Sequence, residues 1–387
     1  MRGPLLIVIP ILLIAALAYA GWRLWRIVPF GWPVKLAALM LFAAGAAAMF
    51  IGFTRIERMP LKLATVVYEV GNTWLIGFLY LLLAFAVLGA GRAARIVPEG
   101  LLRDSAPGTL CVLGAVALVL CLGGVHYHHK YREEISVRTD KPLERPLKVV
   151  LASDLHLGYH NRRPELARWI DMINAENPDL VLFGGDIIDR SVRPLLEGDY
   201  ADEFRRLQAP VMAVLGNHEY YSSEPRAELF YRDAGITLLR DSVVVIDGIA
   251  IVGRDDRSNA GRATLDGILQ APASSAISTS SSDSASPAVS ISPLGLAEGR
   301  FTLLLDHQPY GLDEAETCGI DFQFSGHTHR GQVWPVSWIT DAMYEKAWGR
   351  HRRGATQYYV SSGLGIWGAK VRVGTRSEYL VLSISAR

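Results

Sequence analysis

Residues 148–156 read KVVLASDLH, a short apolar run that ends in an aspartate and a histidine. A run of this length, rich in valine and leucine, predicts a buried β-strand. The pattern recurs at LVLFGGD (180–186) and FTLLLDH (301–307), where an apolar run again leads into acidic or imidazole side chains. Because ligand sites in α/β sheets lie at the carboxyl ends of the strands, we expect these side chains to meet at one edge of a sheet.

Helical patterns separate the predicted strands. Apolar residues recur at helical spacing at Leu166, Trp169, Ile170 and Ile173. Further along, Val243–Ile246 and Ile249–Val252 flank an Asp-Gly pair and predict a β-hairpin. Strands that alternate with helices predict an α/β domain with largely parallel strands, here over residues 148–387.

Four apolar stretches of membrane-spanning size precede this domain: Leu5–Trp22, Val34–Phe53, Trp74–Ala90 and Thr109–Val125. A helix needs about 20 mostly apolar residues to cross a bilayer. Arginines and tryptophans at the ends of these stretches suit anchoring at the membrane interface. The sequence therefore predicts an integral, multi-pass membrane protein with a transmembrane domain of about four helices over residues 1–130. Lysine and arginine are balanced between the two sets of loops, so the orientation stays open.

Three further segments carry their own expectations. The polar, charged stretch 131–147 is predicted to be a linker between the two domains. The stretch 271–292 is dominated by Ser, Ala and Pro, which predicts a disordered surface insertion. Ala18-Tyr19-Ala20 also fits a signal-peptide cleavage site, but the spans that follow favour retention of this segment as the first membrane helix.

The charge of the chain is distributed unevenly. Residues 1–130 have a net charge of +7, and since the whole chain is +1, residues 131–387 have a net charge of −6. An acidic domain is a poor electrostatic partner for a nucleic-acid backbone, so no nucleic-acid partner is expected. An excess of Asp suits a cation-binding site instead. The cysteines Cys111, Cys121 and Cys318 imply no disulfide framework.

Five short segments carry the metal-binding chemistry: Asp154-Leu155-His156, Gly185-Asp186-Ile187-Ile188-Asp189, Gly216-Asn217-His218-Glu219, Asp306-His307 and Gly326-His327-Thr328-His329. Carboxylate, amide and imidazole groups can together bind divalent transition metals. Two metals about 3.5–4 Å apart are a known device for attacking phosphorus esters. Each segment alone is also compatible with a strand end, a turn or half of a zinc site, so the ordered set is the informative feature.

In order and composition, these segments resemble the calcineurin-like metallophosphoesterases. The resemblance runs from about Lys148 to the C-terminus, and the layout with spans in front is similar to the membrane-anchored branch of that superfamily. The tail at 361–368, with Arg372 and Glu378, is also similar to that branch. The resemblance implies a four-layer α-β-β-α sandwich of two mixed sheets behind the membrane helices.

The resemblance also implies two metal ions, and Mn, Fe or Zn all suit the ligand types. It implies seven ligands: Asp154, His156 and His329 on the first metal, Asn217, His307 and His327 on the second, and Asp186 bridging both. A carboxylate can bridge because it has two acceptor oxygens.

The catalytic roles follow from the same resemblance. A hydroxide between the metals would attack phosphorus in line. His218 is predicted to be the general acid that protonates the leaving oxygen, because its side chain diverges from that of Asn217. Asp189 is predicted to pair with His218 and orient it, and Arg190 is a candidate phosphate clamp.

Three acidic residues near the segments are predicted to lie outside the site. Asp306 precedes His307 and should face away from it, which suits a structural role. Asp255 and Asp256 follow a predicted strand and are expected to be solvated or to cap a turn.

The predicted function is therefore that of a membrane-anchored, metal-dependent phosphoric ester hydrolase that cleaves a phosphate or pyrophosphate ester. A phosphodiesterase is favoured, but the sequence does not decide between monoester and diester. The membrane part suggests the lipid bilayer as a partner and a phosphorylated, lipid-linked substrate. A nuclease of the same superfamily is an alternative, which the acidic domain disfavours. A non-catalytic, metal-stabilised scaffold or receptor is another, which His218 and Asp189 disfavour because a structural site needs neither. The oligomeric state stays open.

Overall fold

A computed structural model describes the backbone of residues 3–270 and 299–387, with side chains from residue 8 onward. The insertion predicted at 271–292 lies outside the described residues. The chain divides into two compact units, which we describe separately. The first comprises the described residues up to His126 together with Gly368–Val371, and the second comprises 127–367 and 372–387.

The first unit contains four long helices: α1 (Gly3–Ile27), α2 (Trp32–Thr54), α3 (Leu61–Ala93) and α4 (Ala106–His128). All four are long and apolar enough to cross a membrane. Large apolar side chains on them point outward, and Leu41, Leu110 and Val125 are each more than 70% exposed. Such exposure suits lipid contact, so the predicted N-terminal apolar helices are confirmed. The third predicted span is part of a longer helix, since α3 has 33 residues.

Helices α2 and α3 approach each other closely at small residues. A Cβ atom added to Gly71 would lie 2.6 Å from the backbone of Met49, and one added to Gly45 would overlap Trp74. Small residues allow the backbones of membrane helices to approach to van der Waals distance. The pair therefore packs through these two glycines and the aromatic ring of Trp74, which stacks on Phe78 at 5.1 Å.

The second unit contains two six-stranded sheets. The strands of the first sheet are β1 (Lys130–Thr139), β2 (Leu147–Ala152), β3 (Leu180–Phe183), β4 (Val211–Ala213), β5 (Thr237–Leu238) and β12 (Ser377–Ala386). The strands of the second sheet are β6 (Ser242–Ile246), β7 (Ile249–Gly253), β8 (Phe301–Leu305), β9 (Phe322–Ser325), β10 (Gly349–Arg353) and β11 (Thr356–Val360). Their orders are β1-β12-β2-β3-β4-β5 and β10-β11-β9-β8-β7-β6.

Both sheets are mixed. Strands β2 to β5 are parallel to one another, whereas β12 is antiparallel to β2 and parallel to β1. In the second sheet β7, β8, β9 and β11 are parallel, with antiparallel β6 and β10 at the two edges. The β6–β7 pair is the hairpin that the sequence predicts.

Eight helices and the two sheets form four layers. The helices are α5 (Arg163–Ala175), α6 (Arg193–Glu197), α7 (Tyr200–Phe204), α8 (Asn217–Tyr221), α9 (Glu224–Asp233), α10 (Leu265–Gln270), α11 (Leu312–Thr317) and α12 (Val336–Met343). Val149 of β2 packs between the two sheets, whereas Val150 packs against α5. Helices α10 and α11 cover the outer face of the second sheet. The predicted α-β-β-α sandwich is confirmed.

Strand β1 occupies most of the segment that was predicted to be a linker. Ile135 and Val137 are buried, whereas Glu134, Ser136 and Arg138 are exposed. This alternation is the period of a strand with one buried face. The many charged residues on the exposed face of β1 hide this alternation in the sequence. Strand β1 pairs along all ten residues with β12, from the other end of the domain, so the segment is part of the first sheet.

Candidate metal centre

The predicted ligands follow the carboxyl ends of parallel strands. Asp154 comes two residues after β2, Asp186 three residues after β3, and His307 and His327 two residues after β8 and β9. Asn217 is the first residue of α8, just after β4. The two sheets face each other, so these strand ends deliver side chains from both sheets to one region.

One cluster consists of Asp154, His156 and His329. Their ligand atoms lie within 4.8 Å of one another, and all three side chains are buried. The Nε2 atoms of His156 and His329 are 2.9 Å apart. His329 Nε2 lies 3.4 Å from Asp154 Oδ1. One oxygen and two imidazole nitrogens thus converge on a single point.

A second cluster consists of Asp186, His307 and His327, again within 4.8 Å. Asn217 joins it, since its Oδ1 atom lies 2.7 Å from Nδ1 of His327. Asp186 Oδ2 lies 3.1 Å from His307 Nε2. The same oxygen is 3.7 Å from His156 Nε2 of the first cluster. Asp186 is therefore positioned between the two clusters.

The hydrogen bond of the His307 ring directs its other nitrogen into the second cluster. His307 Nδ1 donates to the carbonyl oxygen of Gly184 at 2.7 Å, which leaves the lone pair on Nε2. That Nε2 atom is buried and faces Asp186 Oδ2 at 3.1 Å, but it makes no well-aligned hydrogen bond within the part of the chain that the structure describes. A buried polar atom without a partner is costly, and a metal ion would satisfy it. The donor set of oxygen and imidazole groups therefore fits transition-metal ions.

The carboxylates of the clusters are held in the ionised state. Burial opposes ionisation of Asp186, but the imidazoles of His307 and His218 hold its pKa well below the usual value. Burial likewise opposes ionisation of Asp154, where His329 and His156 lower the pKa below its usual range. Ionised carboxylates are the form that binds cations.

The backbone of the clustered residues is strained. Five of them have φ in the left-handed region: 55° at Asp154, 45° at His156, 52° at Asp186, 70° at His327 and 47° at His329. Each such conformation costs on the order of 1–3 kcal/mol and persists only where the surrounding structure imposes it. Strain of this kind accumulates at functional sites, because the chain must turn sharply after a strand to aim a side chain.

Two glycines leave space for the carboxylates. A Cβ atom on Gly216 would lie 2.2 Å from Asp186 Oδ1 and 2.6 Å from the Asp186 backbone nitrogen. A Cβ atom on Gly326 would lie 2.2 Å from Asp154 Oδ2. Neither glycine has a positive φ, in contrast to Gly185 at 91°. Gly216 and Gly326 are therefore required for close approach, whereas Gly185 is required for its backbone conformation.

Replacing Gly216 by alanine is expected to displace Asp186 and to lower the free energy of unfolding of the second unit by about 1–3 kcal/mol, as overpacking does. Thermal unfolding and metal content would both report the change. Gly158→Ala is the matched control, because a Cβ atom there meets Asp189 Cβ at an ordinary 3.5 Å. Equal effects of the two substitutions would contradict the close approach at Gly216.

His218 lies at the edge of the clusters, with 21% of its side chain exposed. Its Nδ1 atom donates to the backbone carbonyl oxygen of Asp189 at 2.7 Å. Its ring lies edge-on to that of His156, with centroids 4.5 Å apart. Burial lowers the pKa of His218, but the carboxylates of Asp186 and Asp189 together raise it more, so the net pKa is raised.

Asp189 makes a contact that the sequence does not predict. Its carboxylate accepts from His156 Nδ1 at 3.2 Å, while the distance to His218 Nδ1 is 3.5 Å. The side chain thus orients His156 at least as directly as His218. These three residues also form a group close enough to hold an ion. Arg190, the candidate phosphate clamp, is half-buried directly after Asp189.

Glu219 is a buried residue of the site that belongs to the third segment but has no role assigned from the sequence. Its carboxylate accepts from the backbone nitrogens of Gly216, Asp186 and Ile188, at 2.7, 3.1 and 2.9 Å. Tyr231 donates a fourth hydrogen bond at 2.8 Å. Glu219 therefore fixes the loop of Asp186 to the start of α8. The available signal was its place at the third position of a helix, where glutamate commonly caps backbone nitrogens.

Arg372 is a second residue with no role assigned from the sequence, and it lies beneath the ligand loops. Its fully buried guanidinium donates to the carbonyl oxygens of His329 at 3.0 Å, Ser362 at 2.5 Å and Gly365 at 3.0 Å. Burial lowers the pKa of Arg372 to about 10. It ties the His329 loop to the 362–365 segment. From the sequence, Arg372 is recognisable only as part of the C-terminal segment that resembles the membrane-anchored branch.

The acidic residues beside the site are structural. Asp306 forms buried ion pairs with Arg254 and Arg262, as a structural role requires. Asp255 and Asp256 are both 1% exposed, so they are not solvated. The alternative expectation, a turn cap, holds for Asp256, whose Oδ1 atom accepts from the backbone nitrogen of Ser258 at 2.8 Å. Asp255 accepts from the hydroxyl of Tyr220 at 2.6 Å and pairs with Arg240. These partners lie 35 and 15 positions away in the sequence, so the local pattern does not predict them.

The chain has relatives of known family. Residues 147–331 match the family described as calcineurin-like phosphoesterase. An uncharacterised metallophosphoesterase of Campylobacter jejuni is 28% identical over 277 residues, which are 70% of this chain and 68% of that protein. A transmembrane protein with metallophosphoesterase domain from Danio rerio is 30% identical over 60% of this chain and 52% of its own length.

Two solved structures match part of this chain at low sequence identity. A novel archaeal phosphodiesterase has a TM-score of 0.29 with 15% identity, over 57% of this chain and 84% of that one. A 5'-nucleotidase precursor from Thermus thermophilus has a TM-score of 0.32 with 18% identity, over 58% of this chain and 49% of that one.

Proposed function

We propose that the chain is a membrane-anchored phosphodiesterase with a binuclear metal centre. Its residues 147–331 match the calcineurin-like phosphoesterases, a family of metal-dependent phosphoester hydrolases. The observation that carries this proposal is the position of Asp186 between two clusters of imidazole and carboxylate ligands. A carboxylate in this position can serve both cations of a two-metal site.

We assign the ligands as the sequence predicts. Asp154, His156 and His329 would hold one cation, Asn217, His307 and His327 the other, and Asp186 both. Two cations so bound supply the Lewis-acid chemistry of the reaction, because they lower the pKa of water and neutralise charge on phosphoryl oxygens.

The residues around the ligands keep the imidazoles in the required tautomer. The Asp189 carboxylate accepts the Nδ1 proton of His156, and the Gly184 carbonyl accepts that of His307. Each bond directs the Nε2 lone pair inward and fixes the ring orientation. Glu219 and Arg372 hold the loops that carry these ligands, so the site is preorganised.

His218 is the proposed general acid. Its Nδ1 proton is committed to the Asp189 carbonyl oxygen, so Nε2 is the atom that can transfer a proton to the leaving oxygen. The raised pKa favours the protonated ring that an acid requires. Arg190 is proposed to contact the phosphate, because a guanidinium binds phosphate oxygens in a bidentate manner.

The apolar helices support membrane association, and we propose that all four cross the bilayer and make the chain a multi-pass protein. An enzyme held at a bilayer meets amphipathic molecules at high local concentration. A phospholipid or another lipid-linked phosphate ester is therefore the proposed substrate class.

Metal dependence tests the proposed function directly. The full chain, purified in detergent, is expected to hold two metal ions and to hydrolyse an aryl phosphodiester. Chelation should abolish turnover, and Mn, Fe or Zn should restore it. Chelation should also lower the melting temperature, because a ligand present at 100 times its Kd stabilises a fold by about 2.7 kcal/mol.

Two results would contradict the proposal in different ways. Two bound ions without turnover of any phosphoester would favour a metal-stabilised scaffold. Turnover of DNA or RNA with a steep salt dependence would favour a nuclease.

A further inference from the structure

Helix α12 is amphipathic, but its large apolar side chains are exposed while two of its polar side chains are buried. Its polar residues Ser337 and Thr340 are buried against the domain, whereas its one charged residue, Asp341, is exposed and lies 3.5 Å from Arg330. Its apolar residues point outward, and Trp338, Ile339 and Met343 are 66%, 60% and 65% exposed. A soluble helix would be expected to show the opposite pattern. We call the surface of Trp334, Trp338, Ile339 and Met343 the α12 apolar face.

The α12 apolar face is attached firmly to the loop that carries two of the ligands. Gly331, two residues after His329, packs on the helix so closely that a Cβ atom there would lie 2.7 Å from the Ser337 nitrogen. The Ser337 nitrogen also donates to the carbonyl oxygen of Val333 at 3.2 Å. The rings of Trp334 and Trp338 pack edge-to-face at 5.5 Å. The helix is thus a rigid, exposed apolar surface beside the metal centre.

The composition of this region suits a bilayer. Tryptophan prefers the membrane–water interface, where one end of the ring is apolar and the other is hydrated. Strand β10 follows α12 and carries the exposed cations Arg350 and Arg352, and half-buried Lys346 lies between the two elements. Cations beside an apolar helix face add attraction to an anionic lipid surface.

The short connection between the last apolar helix and the phosphoesterase domain keeps this domain close to a bilayer. Helix α4 ends at His128 and β1 begins at Lys130, so a single residue separates the last apolar helix from the first strand of the phosphoesterase domain. A domain tethered this closely stays at the surface of the membrane that holds the helices.

We propose that the α12 apolar face inserts into the interface of the bilayer that anchors the chain, and that the metal centre acts on phosphoesters in lipid headgroups. This inference rests on the proposed function, whose substrate class it narrows to membrane lipids. A protein partner or a second copy of the chain would be the other occupants of such a face, and the experiment separates them from lipid.

Spin labels measure the contact without reference to activity. The full chain, with Cys111, Cys121 and Cys318 changed to serine, is labelled at Ile339→Cys and placed in nanodiscs of phosphatidylcholine and phosphatidylglycerol. We expect the label to be several-fold more accessible to apolar O₂ than to a water-soluble nickel complex, as in the bilayer interface. Leu229→Cys on α9 is the matched control, since Leu229 is 49% exposed and has no such apolar neighbours on its helix.

Two outcomes of the labelling would overturn the proposal. Equal nickel accessibility at positions 339 and 229 would place the α12 apolar face in water. Protection of position 339 from both reagents would mean that protein covers it.

Activity then tests the link to the substrate. The pair Trp338→Ser and Ile339→Asn is expected to lower turnover of a nanodisc-borne phospholipid about tenfold, while turnover of a soluble aryl phosphodiester stays within about twofold. Leu229→Asn should change neither. Equal losses on both substrates would contradict lipid access through this face. Absence of any turnover in the wild type would instead contradict the proposed function, with the labelling result unaffected.

Discussion

Asp186→Asn is expected to reduce the metal content from two ions to one or none. It should also lower phosphodiesterase turnover by about 10³-fold, which corresponds to a loss of about 4 kcal/mol of transition-state stabilisation. The reason is the position of its Oδ2 atom, 3.1 Å from His307 Nε2 and 3.7 Å from His156 Nε2. Asparagine offers a neutral amide oxygen where the site has an anionic carboxylate oxygen that faces both clusters. The measurements are metal analysis and kcat on an aryl phosphodiester.

Asp321→Asn is the matched control for this substitution. Asp321 also accepts a backbone hydrogen bond, from the Thr302 nitrogen at 2.7 Å, and pairs with Lys141. It directly precedes β9, so it lies at the amino end of a parallel strand, opposite the metal centre. We expect its effect to be confined to stability. Two retained ions and nearly unchanged turnover in Asp186→Asn would rule out a bridging carboxylate.

His218→Gln is expected to lower kcat by about 10²–10⁴-fold for an alkyl phosphodiester, because an alkoxide leaves poorly without a proton. The loss should be much smaller for a p-nitrophenyl diester, whose leaving group is stable as an anion. The metal content should not change, since the assigned ligands stay in place. The ratio of the two losses is therefore the informative measurement.

His351→Gln provides the comparison, because His351 is a half-buried histidine of β10 that pairs with Glu345 away from the clusters. Equal losses on both leaving groups in His218→Gln would contradict the role of general acid. Loss of an ion would show that His218, with His156 and Asp189, is itself a ligand, which their spacing permits.

The membrane helices and the ligand types could be predicted from the sequence because both depend on local features. A span is recognised by about 20 consecutive apolar residues. The ligands follow apolar runs such as 148–153 and 301–305, and the end of a parallel strand is where a sheet places its ligands. These two regularities, with the family resemblance, were enough to name seven candidate ligands that the structure brings into two clusters.

The sequence was less informative where charge masked a pattern. Strand β1 has charged residues on its exposed face, and they hide the alternation of buried Ile135 and Val137. The segment was therefore predicted to be a linker. Its partner β12 is more than 240 residues away. A one-dimensional pattern carries no information on which distant strand completes a sheet.

Local sequence thus determined which segments are apolar, which side chains can bind metals, and that these follow strands. Only the tertiary structure decided that Asp189 orients His156, that Glu219 and Arg372 fix the ligand loops, and that α12 presents its apolar residues outward. The physical reason is that these features depend on which groups meet across the fold. Hydrogen-bond partners and exposure are properties of pairs and surfaces, and no single segment of the chain contains them.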